Sequence, residues 1–159
     1  MKELIKQVLD EYDWKYTEND STIRVDVDGE NSSWSSFLRP ESEDSFSYYS
    51  VLPARVEADA IAKVSELLHR INYAVRVGSF EINLTESPSK GQVMLKTYGL
   101  VTENLLKNDP AEVKEIIRRA IAYNMLTMDF YAKHILKAIY GGEVNFDSIF
   151  NENERGEQT

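Results

Sequence analysis

A single long helix near the C-terminal end of the chain is the feature that most constrains the fold. Asp109 is a suitable N-cap residue, Pro110 fits the first helical position, and Gly141-Gly142 ends the segment. A helix between these signals has about 31 residues and a length of roughly 46 Å, and we expect a kink or break near Thr127. That is long for a chain of 159 residues, which by its length forms one domain.

The apolar arc of this helix is wider than one sheet can cover. With Val113 at its centre, a stripe within about 60° faces a sheet and comprises Ile117, Ala120, Asn124, Met128, Tyr131 and Ile135. Further apolar side chains flank a polar strip only about 80° wide, and these are Met125, Leu126, Phe130 and Leu136. The segment from Ala120 to Met128 carries no charge. The helix therefore needs more than one partner surface.

Two arrangements would cover the remaining apolar side chains. Either the first helix or the segment Phe146–Phe150 packs on them within one chain, or a second subunit or a client protein does. We predict the second arrangement, a homodimer whose chains meet near a two-fold axis and whose surface also receives an unknown client. The predicted protein interface consists of Met125, Leu126, Phe130, Leu136, Phe146 and Phe150.

Alternating side chains predict the strands of the fold. Ile23, Val25 and Val27 alternate with charged residues over 22–28, which is typical of a strand with one buried face. Similar patterns predict further strands over about 14–18, 33–39, 45–52, 80–84 and 92–98. We expect Pro53 to end the fourth strand, and helical spacing predicts helices over about 2–12 and 57–75.

The predicted order of elements is one helix, four strands, one helix, two strands and the long helix. Strands joined in hairpins, with the helices elsewhere in the chain, indicate an α+β fold on a mainly antiparallel sheet. We assign residues 1–142 to a single domain and residues 143–159 to an acidic, partly flexible C-terminal tail.

Composition excludes several classes of function. Eighteen basic residues against 27 acidic ones give a net charge of −9, which opposes binding to nucleic acid or to an anionic membrane. The absence of cysteine excludes disulfides, thiolate catalysis and cysteine–zinc sites, and it fits a reducing compartment. The chain begins without an apolar signal segment and has no apolar run of about 20 residues. We therefore expect a cytoplasmic protein with no membrane or nucleic-acid partner.

No motif for catalysis or cofactor binding is present in the sequence. The two histidines, His69 and His134, lack metal-ligand spacing, and no G-x-S-x-G, P-loop or G-x-G-x-x-G pattern occurs. Asp26 and Asp28 share one strand face and are the best acidic pair, but the following residues do not match an EF-hand loop. We predict no catalytic residue, no metal and no cofactor. The alternative is a small-molecule sensor or a hydrolase with a cleft lined by Asp26, Asp28 and Tyr48.

Five positions in the middle of the chain form an ordered set. A strand closes on a proline, the next helix closes on an asparagine, and a Gly-Ser-Phe-Glu strand opens a hairpin; these positions are Pro53, Asn72, Gly78, Phe80 and Glu81. The set resembles the YbjN family of bacterial sensory transduction regulators. The end Met128-Asp129…Tyr131…Ile139-Tyr-Gly-Gly is also similar to the final helix of the family, so the resemblance covers about residues 14 to 142. The turn Glu86–Gly91 is longer than the family's usual tight acidic turn.

This resemblance implies a fold similar to type III secretion chaperones. Such folds have a twisted antiparallel sheet with helices on one side and are commonly dimeric. Members act by binding other proteins, and YbjN-like members have no established catalytic residues. The resemblance thus implies a non-enzymatic protein-binding module, chaperone-like or a regulatory adaptor.

Overall fold

The computed structural model describes residues 1–147 and 149. These residues form six strands in one sheet, with the strand order β1-β2-β3-β4-β6-β5 and every neighbouring pair antiparallel. The elements are, in chain order, α1 (Lys2–Glu11), β1 (Thr17–Asn19), β2 (Thr22–Asp28), β3 (Ser33–Pro40), β4 (Ser45–Glu57), α2 (Ile61–Ala74), β5 (Ser79–Asn83), β6 (Lys90–Leu100), α3 (Glu103–Asn108) and α4 (Pro110–Ile139). The predicted α+β class and the antiparallel sheet are confirmed.

One face of the sheet carries the helices. Side chains on this face are buried, as the alternation along β2 shows at Ile23, Val25 and Val27. Helix α4 crosses the central strands β4 and β6, while α1 packs beside it near β3 and α2 packs beside it near β5. The opposite face presents exposed or half-buried side chains such as Arg24 and Phe37. The core therefore lies between one sheet and one layer of helices, with α4 at its centre.

Helix α4 is one continuous helix of 30 residues. The Asp109 carboxylate accepts a hydrogen bond from the Glu112 N–H at 3.1 Å, and Pro110 occupies the first helical position, as predicted. The expected break near Thr127 does not occur. Residues 111–139 contain neither proline nor glycine, the two residues that most weaken the interior of a helix, so every position keeps its backbone donor.

The strand that precedes α2 runs past Pro53, and the expectation that Pro53 ends it is wrong. β4 continues to Glu57, and its register against β6 shifts between Val51 and Arg55. Proline has no N–H to donate, and within a sheet it is tolerated at such an irregularity. Because β4 is longer than predicted, α2 begins at Ile61 rather than near residue 57.

The short helix α3 was not predicted. The Thr102 side chain caps it by accepting a hydrogen bond from the Leu105 N–H at 3.2 Å. α3 has six residues and buries none of them, so its sequence carries no apolar stripe of helical period.

A buried amide fixes α4 against the sheet. The Asn124 side chain is fully buried, and its Nδ2 donates to the Leu95 carbonyl at 3.2 Å and to Thr97 Oγ1 at 2.9 Å. A longer contact of 3.4 Å reaches the carbonyl of Tyr48. These bonds join the middle of α4 to both central strands, β4 and β6.

The turn between β2 and β3 is also hydrogen-bonded to α4. The Asp129 carboxylate accepts a hydrogen bond from the Asn31 N–H at 2.9 Å. A Cβ atom on Gly29 would lie 2.2 Å from Asp129 Oδ1, so the close approach requires glycine at this position.

Three of the positions that carry the family resemblance have a structural role at β5. Asn72 Nδ2 donates to the Phe80 carbonyl at 2.9 Å, and Asn72 Oδ1 accepts from the Phe80 N–H at 2.7 Å. Gly78 has a φ of +87°, and a Cβ there would lie 2.5 Å from the Lys96 carbonyl oxygen. The asparagine at the end of α2 thus holds the strand that follows it.

Candidate protein interface

A groove runs between α1 and α4. Its volume is about 320 Å³, and it is lined by Val8, Leu9, Tyr12, Trp14, Arg118, Ile121, Ala122, Met125 and Leu126. The amphipathic spacing of α1 turns Val8 and Leu9 inward, where they form the buried floor. The side chains that line it are apolar apart from the Arg118 guanidinium, the Tyr12 hydroxyl and the Trp14 indole N–H, so water gains few hydrogen bonds in it.

Large apolar side chains stand exposed around this groove. Leu126 is 70% exposed and Tyr12 57%. Single exposed apolar residues are common, but here two border one apolar depression on neighbouring elements. The groove and its rim together form an apolar surface that is exposed to water.

Charged side chains tie the two walls of the groove together at one end. Glu11 at the end of α1 accepts from Lys114 Nζ at 2.6 Å and also from Arg118. Arg118 binds Glu115 in the same helix at 3.2 Å. The pKa of Glu11 is lowered, first by the hydrogen bond from Lys114 and then by the one from Arg118. The pairs fix the spacing between α1 and α4 where the groove begins.

The structure distributes the predicted interface residues over both flanks of α4. Met125 is half-buried in the groove and Leu126 lies at its rim. Phe130 and Leu136 are half-buried further along the helix, with the Phe130 ring 4.9 Å from that of Tyr131. Phe146 packs toward α2, and Phe150 lies outside the described residues. Of the five predicted interface residues that the structure describes, Met125 and Leu126 are the two that line this groove.

The segment that follows α4 covers the flank on the side of α2. The Phe146 ring lies 4.3 Å from the Arg70 guanidinium, and Lys63 Nζ donates to the Gly142 carbonyl at 2.7 Å. Val144 packs against the core, and Ile149 is fully buried. Part of the apolar arc of α4 is thus covered within the chain, by α1 and by this segment, while Leu126 stays exposed.

The alternative cleft of Asp26, Asp28 and Tyr48 does not form. Asp26 and Asp28 line a depression of about 570 Å³ on the helix-free face of the sheet. Tyr48 points to the other face and is fully buried, which raises its pKa to about 12. Asp26 is held by Ser35 Oγ at 2.8 Å and Arg24 Nη2 at 2.9 Å, and these bonds lower its pKa.

Across residues 1–147 and 149, no group of three or more His, Cys, Asp or Glu side chains is arranged to hold a metal ion. In the same part of the chain, no helix has the length and apolar content needed to cross a membrane.

Sequence reasoning missed the α1 wall of the groove. Tyr12 and Trp14 belong to this wall, and so does Glu11, which forms ion pairs with Lys114 and Arg118 of α4. The one available signal was the acid at the end of α1 together with the basic cluster at the start of α4. That signal does not specify a pairing between helices that lie about 100 residues apart in the chain.

Comparison with known proteins identifies the family. The model of the YbjN family, described as "putative bacterial sensory transduction regulator", matches residues 2–106. The fold is similar to the crystal structure of YbjN from E. coli, described as a putative transcription regulator, with a TM-score of 0.61 and 10% identity over 83% of this chain and 91% of that one. No curated protein sequence matches. At 10% identity the crystal structure shows the fold alone, whereas the family match spans more than half of the chain and confirms the resemblance. The chain belongs to the YbjN family.

Proposed function

We propose that this chain is a non-enzymatic protein-binding module, a regulatory adaptor that acts through contacts with other proteins. The observation that supports this function is the apolar groove between α1 and α4 with Leu126, 70% exposed, at its rim. The description of its family as regulators agrees with such a role. The lack of cysteine in the sequence agrees with a reducing compartment such as the cytoplasm.

The shape of the groove favours an α-helix as the partner element. Two helices form its walls, and an amphipathic helix can insert apolar side chains spaced three or four residues apart into such a groove. Met125 supplies an adaptable lining, because its unbranched side chain changes conformation easily. The Glu11, Lys114 and Arg118 side chains form a polar rim at one end, as is usual around an apolar interface core.

Asp26, Asp129 and the amide nitrogen of Asn124 have structural partners, which supports binding rather than catalysis. Asn124 bonds to two strands, and Asp26 is held by Ser35 and Arg24. Asp129 holds the turn between β2 and β3 through Asn31. In each case the geometry of the group is explained by the fold itself.

Photo-crosslinking tests this function directly. A photoreactive phenylalanine analogue at Leu126 should form protein adducts in cells, and the same analogue at Tyr98 serves as the matched control. Tyr98 is 56% exposed but lies on the helix-free face of the sheet. Adducts at position 126 should disappear when Ala122→Arg fills the groove. Equal labelling at both positions, or adducts at position 126 that survive Ala122→Arg, would contradict the proposal.

A further inference from the structure

We propose that β2 binds an extended segment of another protein as an additional strand, and that this segment alternates basic and apolar side chains. The site is the part of the outer edge of β2 that β1 leaves uncovered, at Asp26 and Asp28. Neither residue lines the groove between α1 and α4, so this is a second binding surface. Two features of β2 point to such a partner: the direction of its backbone groups and the charge of the side chains beside them.

β1 covers only the first part of the outer edge of β2. It pairs with β2 from Thr22 to Arg24, and the pairing ends where Thr17 lies opposite Arg24. On its other side, β2 pairs with β3 as far as Asp28. Within the part of the chain that the structure describes, the last four residues of β2 therefore have a neighbouring strand on one side only.

The turn between β2 and β3 determines which backbone groups of β2 point outward. The Gly29 N–H donates to the Ser32 carbonyl at 2.9 Å, so these two residues form a hydrogen-bonded pair of the antiparallel ladder. Along such a ladder, hydrogen-bonded pairs alternate with pairs whose backbone groups point away from the partner strand. Counted back from Gly29 along β2, Asp28 and Asp26 are of the second kind. Their N–H and C=O groups therefore point away from β3, toward the uncovered edge.

These outward groups are open to a partner backbone. Across residues 1–147 and 149, no other residue forms a hydrogen bond with the backbone N–H or C=O of Asp26 or of Asp28 on this edge. Both residues are exposed. An extended segment lying beside them would form up to four backbone hydrogen bonds, and such bonds are the source of affinity when a peptide adds a strand to a sheet.

The side chains at this edge favour a basic partner. Asp26 and Asp28 both lie on the helix-free face, where they line the depression of about 570 Å³. Arg24 Nη2 binds the Asp26 carboxylate at 2.9 Å. Asp28 forms no ion pair with any other described residue, so its charge is available to a basic side chain of the partner.

The surroundings of the edge are also acidic. Residues 13–30, which contain β1, β2 and the turns beside them, carry six acidic and two basic side chains. Lys2 and Lys6 of α1 bind Glu18 of β1, and including them gives six acids against four bases. A basic segment would therefore be attracted to this edge, and an acidic one would be repelled.

The geometry of a strand fixes the order of side chains in the partner. Residues opposite Asp26 and Asp28 are two apart, so both lie on the helix-free face, where lysine or arginine would pair with the two acids. The residue between them lies opposite Val27, which is 8% exposed and belongs to the core on the other face. An apolar side chain suits that position, and the recognised segment is basic, apolar, basic.

A second copy of β2 is a poor partner for this edge. Its free positions are the same two aspartates, so every register that pairs them with one another places acid opposite acid, which is destabilising. Arg24 does not supply the missing basic residue. Its backbone is paired with Thr17, and its side chain is bound to Asp26.

Synthetic peptides test the chemistry of the partner. The probe is a ten-residue peptide that alternates lysine and valine, titrated into the full chain up to about 1 mM and followed by NMR. The controls are the same peptide with glutamate in place of lysine and a peptide of the same composition with all its lysines adjacent. The alternating lysine peptide should bind at least tenfold more tightly than either control. It should also slow hydrogen exchange of the Asp26 and Asp28 amides at least tenfold.

Two substitutions at one position separate the backbone contribution from the charge. Asp28→Lys reverses the charge, and Asp28→Pro removes an outward N–H, a change that an edge strand tolerates where that group faces solvent. Each should weaken binding of the lysine peptide at least tenfold. Glu43→Lys, in the exposed bend between β3 and β4, makes the same change in charge as a glutamate and should leave binding unchanged.

The remaining outcomes decide against strand addition at β2. Absence of binding by the lysine peptide, equal binding by the peptide with adjacent lysines, or unchanged exchange at Asp26 and Asp28 would overturn it. So would binding that survives Asp28→Lys. Ala122→Arg fills the groove between α1 and α4 and should leave the peptide bound, so loss of binding in that variant would place the peptide in the groove instead. Crosslinking at Leu126 reports on the groove alone, and its result is independent of this one.

Discussion

The two flanks of α4 differ in how the chain covers them. On the side of α2, the segment after α4 folds back, with Phe146 against Arg70 and a fully buried Ile149. On the side of α1, the neighbouring helix forms only a floor and one wall, and Leu126 remains exposed. The fold therefore covers one flank from within the chain and leaves Leu126 on the other flank exposed. Stability measurements on matched substitutions can test this division.

Substitutions on the sheet-facing side of α4 should lower the free energy of unfolding more than substitutions on either flank. Asn124→Ala removes the buried amide that donates to the Leu95 carbonyl and to Thr97 Oγ1, and it leaves a cavity between α4 and the sheet. We expect a loss of about 2 to 4 kcal/mol in the free energy of unfolding, measured by urea denaturation. The exposed Asn104→Ala is the control and should change it by less than about 0.5 kcal/mol. Equal effects would show that Asn124 does not anchor α4.

The covered and open flanks should respond differently to truncation. Phe146→Ala removes a half-buried ring and its contact with Arg70, and we expect a loss of about 1 to 2 kcal/mol. Leu126→Ala removes an exposed side chain and should stay within about 0.5 kcal/mol in the monomer. Urea denaturation under dilute conditions checks both. The reverse order would mean that the open flank is part of the core.

The smallest effect on stability is expected at Glu11, whose ion pairs with Lys114 and Arg118 join the two walls of the groove. The pKa of Glu11 is lowered in the folded chain, so its ion pairs stabilise the fold above the ordinary glutamate pKa of about 4.3 and lose this effect as the pH falls below it. Glu11→Gln should therefore be slightly less stable than wild type at pH 7, and the difference should shrink as the pH falls below about 4.3. Urea midpoints over a series of pH values measure this difference. A difference that does not shrink as the pH falls would assign another role to Glu11.

Local signals in the sequence predict most of the fold and little of the site. Asp109, Pro110 and the alternation along β2 act within a few residues, so they predict α4 and the strand correctly. Pro53 was misinterpreted because a proline can either end a strand or lie in an irregularity, and only the register against β6 decides. Helix α3 is too short and too exposed to leave a pattern.

The groove depends on contacts between distant parts of the chain, which local patterns do not specify. Alternation places Asp26 and Asp28 on one face, but the face of Tyr48 follows from its pairing with the buried Leu38. The width of the apolar arc of α4 likewise predicted that one sheet does not cover Leu126. The place of Tyr12 in the groove depends on the packing of α1 beside α4, which local patterns do not specify.

The contact between Asn72 and Phe80 also affects how molecules of this protein can meet. β5 is an edge strand, and unpaired backbone groups on such an edge attract strands from other molecules. The amide of Asn72 already occupies the N–H and the carbonyl of Phe80, so an incoming strand would have to displace it before pairing there. Growth of the sheet from copy to copy is thereby obstructed at β5. A chain with exposed apolar surface on its helices is thereby protected at Phe80 against pairing of this edge of its sheet with another strand.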